Sequence, residues 1–268
     1  MSLEKHLAVG QISAVSCTES SDDDRLFKFK NRYLTYAVRS RPTSKALVII
    51  FSGVDATSSF CRMSYYGLRE ELNANVIHIM DNFGAHGCYL LSIAGDQQIR
   101  NAVISLIRSL QSEMGVGNND TYLVGTSKGA TTAIAYALMI GGGTVIAGEP
   151  QINLGDFIYN LKWHNLEQWR SLAYTMLGRV NEDDRHLLNG YISDIGKKYA
   201  SRFSGKMIIH HGKTGYFENH IVHFRDLLVS LGVGEKLVCI EHEFREHNDI
   251  VPVFTESLKT LFQIDSSK

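Results

Sequence analysis

Polar and apolar positions alternate near the start of the chain. Leu26-Phe27-Lys28-Phe29-Lys30 and Tyr33-Leu34-Thr35-Tyr36-Ala37-Val38 predict two antiparallel strands joined near Asn31. The acidic run Asp22-Asp23-Asp24 before them reads as a solvated turn. From Ala46 the pattern changes. Ala46 to Phe51 is a continuous apolar run, the signature of a strand buried on both faces of a parallel sheet. A helical stretch follows over Tyr65 to Leu72, then a second apolar strand over Val76 to Met80. Asp96 is placed to cap a helix whose apolar positions Ile99, Val103, Leu106, Leu110 and Met114 keep helical spacing. Thr121 to Val124 predicts a strand and Ala130 to Ile140 a helix, stopped by Gly141-Gly142-Gly143. Thr144 to Ala147 returns to the sheet. Near the end come strands over Met207 to His210 and Leu237 to Ile240, with helices over Asn219 to Leu231 and Pro252 to Phe262. Pro252 suits a first helical turn.

Repeated β-α alternation predicts an α/β fold: a doubly wound, mostly parallel sheet with helices on both faces and the opening hairpin as an antiparallel edge. Residues 152–204 break the rhythm. They carry amphipathic helical patterns, no convincing strand, and both tryptophans, Trp163 and Trp169. They read as a helical lid insertion above the carboxyl ends of the strands, where ligands bind in such sheets, or equally as helices packed on a flank.

The 268 residues, 44% hydrophobic, suffice for one sizeable core, and one domain over 1–268 is the expectation. Lys and Arg number 27 against 28 Asp and Glu, a net charge of -1, with no local basic stripe. That argues against a nucleic-acid partner. Cys17, Cys61, Cys88 and Cys239 lie far apart without a CxxC pair, which fits a reducing cytoplasm better than a disulfide scaffold or zinc knot. Met1 to Gly10 has no signal-peptide pattern, and no apolar stretch approaches the roughly 20 residues of a membrane span. The expectation is a cytoplasmic protein.

Gly125-Thr126-Ser127-Lys128-Gly129 fits G-x-S-x-G, the nucleophile elbow, in which a sharp strand-to-helix turn holds the serine at its apex. Flanking glycines are required because a Cβ would collide with the neighbouring strand and helix. The string alone arises by chance about one time in ten in a chain this long. Its setting, between an apolar strand and an Ala-rich helix, is what gives it weight; a tight turn with an incidental serine is the plainer alternative. A serine hydroxyl needs a base to become a nucleophile. On an α/β-hydrolase-like fold the chain order is serine, acid, histidine, and His247, between the last strand and the last helix, falls at the base's place. The acid should follow the penultimate strand, but His211 to Phe217 contains no aspartate. Glu218 is the first carboxylate available there and is the candidate acid, although it would equally suit the start of a helix. The oxyanion hole would be formed by the backbone N–H groups of Lys128 and Val54, the latter in Ser52-Gly53-Val54-Asp55. The Lys128 side chain reads as exposed and unconnected with the chemistry. His210, His211, His220 and His223 cluster in sequence without a Cys or Asp to complete a metal set, so no metal and no tightly bound cofactor are expected.

Tyr122 to Gly129, together with Ala147-Gly148-Glu149-Pro150-Gln151-Ile152-Asn153-Leu154-Gly155-Asp156-Phe157 and Phe51-Ser52-Gly53, resembles bacterial capsular-polysaccharide biosynthesis proteins of the XcbB/CpsF type. Those are related to capsule O-acetyltransferases, which move acetyl from acetyl-CoA to sugar hydroxyls. The resemblance runs from about Ala46 to the C-terminus and implies Ser127 as nucleophile, His247 as base, acetyl-CoA as donor and a glycan acceptor. The chain departs from it at Lys213, which is followed by Thr214-Gly215 where relatives carry an aspartate. Two functions follow. One is a serine acyl-transfer enzyme, either an ester hydrolase or a carbohydrate O-acetyltransferase. The other is a catalytically silent scaffold in a polysaccharide biosynthesis or secretion assembly, supported by the missing aspartate.

Overall fold

The computed structural model describes residues 24–54, 62–160 and 166–263. Asp22, Asp23, Cys17, Cys61, Asp55 and Trp163 lie outside the described residues, as does the N-terminal segment. Among the described residues eight strands form one sheet: β1 (Asp24–Phe29), β2 (Arg32–Arg39), β3 (Leu47–Phe51), β4 (Asn75–Ile79), β5 (Thr121–Thr126), β6 (Thr144–Gly148), β7 (Lys206–His211) and β8 (Leu237–Glu241). Their spatial order is β1-β2-β4-β3-β5-β6-β7-β8. β1 and β2 pair antiparallel, and β2 pairs antiparallel with β4. Every other pairing is parallel. The fold is the expected mostly parallel α/β-hydrolase-like sheet with an antiparallel edge hairpin.

The helices are α1 (Leu68–Glu71), α2 (Gln98–Met114), α3 (Lys128–Ile140), α4 (Leu154–Ile158), α5 (Leu166–Leu177), α6 (Arg185–Tyr199), α7 (Val222–Ser230) and α8 (Ile250–Leu261). They cover both faces of the sheet, which is why the central strands read as unbroken apolar runs. In β3, Leu47, Ile49 and Phe51 enter a large core with α2, α3 and α6. Val48 and Ile50 enter a second core with α1 and α8. α3 is buried along almost its whole length, as an Ala-rich helix between sheet and outer helices must be. Gly141, in the left-handed region, ends it.

Three local expectations are adjusted. α1 is a single turn, because Tyr65 has φ 59° and cannot be helical. Asp96 accepts from the Gln98 N–H at 2.9 Å, yet its carboxylate also pairs with Arg32 at 2.6 Å, so it ties α2 to the edge hairpin. The helix expected from Asn219 starts with a π turn, Phe217–Ile221. Residues 152–204 hold α4, α5 and α6 between β6 and β7, with α6 packed on α3. Trp169 packs partly buried against the core, its ring 5.0 Å from Tyr159.

The sheet's order reverses at β3, which has β4 on one side and β5 on the other. The loops after β3 and β5 therefore diverge and open a crevice at the carboxyl ends of the strands.

Candidate active site

Ser127 stands between the end of β5 and the first residue of α3, with φ 53° and ψ −120°. A non-glycine residue there costs on the order of 1–3 kcal/mol and persists only where its surroundings enforce it. They do so here. The Ser127 N–H donates to the Gly148 carbonyl at 2.8 Å, and the Ser127 carbonyl accepts from Thr131 N at 3.2 Å. A Cβ on Gly125 would lie 2.6 Å from the Gly129 carbonyl carbon, and one on Gly129 would strike the Phe51 carbonyl oxygen. Both motif glycines are thus sterically required. The Lys128 side chain is not exposed as expected. It is 1% exposed, and its Nζ pairs with Asp81 Oδ2 at 2.7 Å beneath the elbow. Both Asp81 oxygens also accept from Cys88 N at 2.9 Å. This ion pair went unnoticed because a lysine in a βα turn carries no sequence mark of burial.

His247 opens a short 3-10 turn between β8 and α8, where the sequence puts the base. Its Nδ1 lies 2.5 Å from Glu149 Oε2. The carboxylate at this nitrogen is Glu149 and not Glu218, the acid expected from the sequence. Glu218 lies exposed on the π turn before α7 and makes no side-chain hydrogen bond or ion pair with a described residue. Glu149, directly after β6, is wholly buried, with φ 46° and its N–H donating to the His210 carbonyl at 2.9 Å. Its Oε1 accepts from Gly212 N at 3.2 Å and from the Thr214 hydroxyl. The loop after β7, where the fold order predicts an aspartate, thus supplies donors to a carboxylate carried at the end of the neighbouring strand β6. The order 127, 149, 247 still runs serine, acid, histidine. A sequence signal existed: Glu149 is a charge directly after an apolar strand, as Asp81 is after Val76 to Met80, and Pro150 follows it. Tyr216 stacks on His247 with centroids 4.5 Å apart and rings 5° from parallel, which fixes the imidazole plane. Burial, opposed by a hydrogen bond with Gln151, pushes the Tyr216 hydroxyl well above its ordinary pKa, so it stays protonated.

Gln151 was also missed, since an amide leaves no titratable trace. It is 1% exposed, and its Nε2 donates to Ser127 Oγ at 2.6 Å. Its Oε1 accepts from the Tyr89 hydroxyl at 2.6 Å. Its backbone is clamped by Thr131, whose Oγ1 accepts from Gln151 N at 2.7 Å and donates to Gln151 O at 2.9 Å.

Ser127, Gln151, Val54 and His247 line one cavity of about 810 Å³ with Tyr65, Phe157, Leu172, Tyr216, Arg62 and Arg245. Lys128 N begins α3, so its N–H has no intrahelical acceptor. Gly53 N donates instead to Ser64 Oγ at 2.9 Å, next to Val54.

The clustered histidines separate. His210 Nδ1 meets His242 Nε2 at 3.0 Å and its Nε2 meets Ser257 Oγ at 3.2 Å. Burial first, then the charges of His242 and His211, lowers the His210 pKa to about 4. His220 accepts from Asn153 N at 3.2 Å and is likewise lowered to about 4, chiefly by burial. Among the described residues no group of three or more His, Cys, Asp or Glu is arranged to hold a metal, and no helix is long and apolar enough to cross a membrane.

No protein-family model matches the chain, and no curated protein matches it in sequence. Solved structures match its shape. The capsule O-acetyltransferase of Neisseria meningitidis serogroup A superposes with a TM-score of 0.74 at 18% identity, over 92% of this chain and 98% of that one. A mutant of that transferase in complex with CoA gives 0.73 at 17% identity, over 93% and 100%. The glycosylation-associated protein (Gap123) complex of Streptococcus agalactiae gives 0.72 at 15% identity, over 91% of this chain but only 47% of the other, so this chain spans about half of it. The fluorophosphonate-binding serine hydrolase F of Staphylococcus aureus gives 0.57 at 12% identity, over 90% and 98%. Likeness at such identities is likeness of fold, and the chain has the α/β-hydrolase fold that its elbow and strand order describe.

Proposed function

We propose that this protein is a serine acyl-transfer enzyme with Ser127 as nucleophile, His247 as base and Glu149, in place of Glu218, as the acid. The observation that carries this is the 2.5 Å contact between His247 Nδ1 and the wholly buried Glu149 carboxylate. It fixes the tautomer that leaves Nε2 to take the serine proton, and it stabilises the imidazolium that results. Ser127 Oγ attacks the acyl carbon while its proton passes to His247. The carbonyl oxygen, now an anion, is met by the N–H groups of Lys128 and Val54. His247 returns the proton to the leaving group as the acyl-enzyme forms. A second hydroxyl, activated by the same histidine, then carries the acyl group away.

That second hydroxyl belongs to a sugar in our preferred reading, and to water in the alternative. Similarity to a capsule O-acetyltransferase supports the sugar, and the CoA complex of that relative supports acetyl-CoA as donor. Arg62 and Arg245 at the cavity carry the charge that would attract phosphates. Residues 152–204 act as a lid in this reading, since Phe157, Gln168 and Leu172 line the cavity. Excluding water is what would turn a hydrolase into a transferase. An acid at 149 removes the main support for a silent scaffold. The test is release of free CoA from acetyl-CoA with and without bacterial capsular glycans. Release that depends on the glycan supports the transferase, release without it supports the hydrolase, and none in either case overturns acetyl-CoA as donor.

A further inference from the structure

We propose that Gln151 is a catalytic residue, which donates a hydrogen bond to Ser127 Oγ and thereby directs the serine proton to His247. The inference rests on the reading of Ser127 as nucleophile. A hydroxyl has one proton and two acceptor sites. With one acceptor site filled by Gln151 Nε2 at 2.6 Å, the Ser127 hydroxyl cannot give its proton to that amide and is left to offer it to the base that lines the same cavity. The amide is held in the donating orientation. Its Oε1 is taken by the Tyr89 hydroxyl at 2.6 Å, and its backbone N–H and carbonyl are both bonded to Thr131 Oγ1. At 1% exposure no solvent competes for it.

The group acts during acylation. As the Oγ–C bond forms, the Oγ proton moves to His247 Nε2 and the carbonyl π pair moves onto oxygen. Charge gathering on Oγ along the way is stabilised by the Gln151 N–H, in a buried site where such a bond counts most.

Gln151→Glu keeps the shape and the acceptor for Tyr89 but replaces the donor with a second acceptor, which competes with His247 for the serine proton. Gln151→Met removes donor and charge together. The readout is the second-order rate of labelling by a fluorophosphonate, in which Oγ–P forms, P–F breaks, fluoride departs and His247 holds the serine proton. Thermal midpoints serve to confirm that each variant is folded. Both variants should label about 10²-fold more slowly at neutral pH. On acidification the Glu variant's rate relative to wild type should rise, because a protonated carboxyl donates again, whereas the Met variant's ratio stays level. A folded Glu or Met variant that labels at the wild-type rate overturns the inference, as does a Glu-to-wild-type ratio independent of pH. A wild type that does not label at all overturns the serine-enzyme reading and this inference with it; a labelled wild type with unaffected variants overturns this inference alone.

Discussion

Glu149 is held in place by its backbone as firmly as by its partners. Its φ of 46° aims the carboxylate across the end of the sheet, and three donors converge on it, from His247, Gly212 and Thr214. Removing the negative charge while keeping the shape tests the assignment. Glu149→Gln should lower kcat/KM toward an activated ester by about 10³–10⁴-fold with KM little changed, as loss of a triad carboxylate does. Glu218→Gln, altering an exposed side chain, should leave kcat/KM within about twofold, since surface changes away from such features have small effects. The reverse ranking would restore Glu218. The sequence pointed to Ser127 and His247 because each lies at a punctuated place, a glycine-flanked turn and the loop before the final helix. It led to Glu218 and not to Glu149, the acid we propose, because a carboxylate at His247 is fixed by a point in space rather than by a strand number. β6 and β7 are neighbours, with Gly148 opposite His210, so their ends lie about 5 Å apart. A longer glutamate from β6 reaches the imidazole that an aspartate from β7 would otherwise meet. Gln151 was illegible for a different reason: the meaning of an amide lies wholly in its partners.

At the scale of elements, the strands were legible almost to the residue. β3 and β6 begin one residue later or end one residue later than the apolar runs that announced them, because burial on both faces leaves no other reading of such runs. The elbow followed from steric need, as the clash positions at Gly125 and Gly129 now make explicit. The support beneath it did not. Lys128 and Asp81 are 1% and 3% exposed at the side chain, and the pair links the first turn of α3 to the end of β4. Truncating one partner of a buried pair leaves an uncompensated charge, at a cost of about 3–5 kcal/mol. Lys128→Met should therefore lower the free energy of unfolding in urea by about that amount. A change below about 1 kcal/mol would mean that Asp81 finds another partner or a proton, and that the pair is not what seats the helix.

At the scale of the whole molecule, three buried histidines, His78, His210 and His220, have pKa values lowered from 6.5 to about 4, in each case by burial first. In the unfolded chain each binds a proton near its ordinary value; in the folded chain it does so only near 4. Between those values the unfolded state holds more protons, so stability rises with pH and is lost on acidification through this window. Unfolding free energy should fall between about pH 6.5 and about pH 4, with net proton uptake on unfolding. A stability that is flat or rises on acidification would contradict the burial assigned to these side chains. Folding and chemistry meet at the crevice that the strand order opens, where three segments far apart in sequence deliver Ser127, Glu149 and His247. The most direct measurement of that convergence is fluorophosphonate labelling followed by intact-mass analysis and peptide mapping. One adduct is predicted, on Ser127, absent from Ser127→Ala and strongly slowed in His247→Ala and Glu149→Gln. A folded wild type that takes no adduct, or an adduct that persists in Ser127→Ala, would contradict the account.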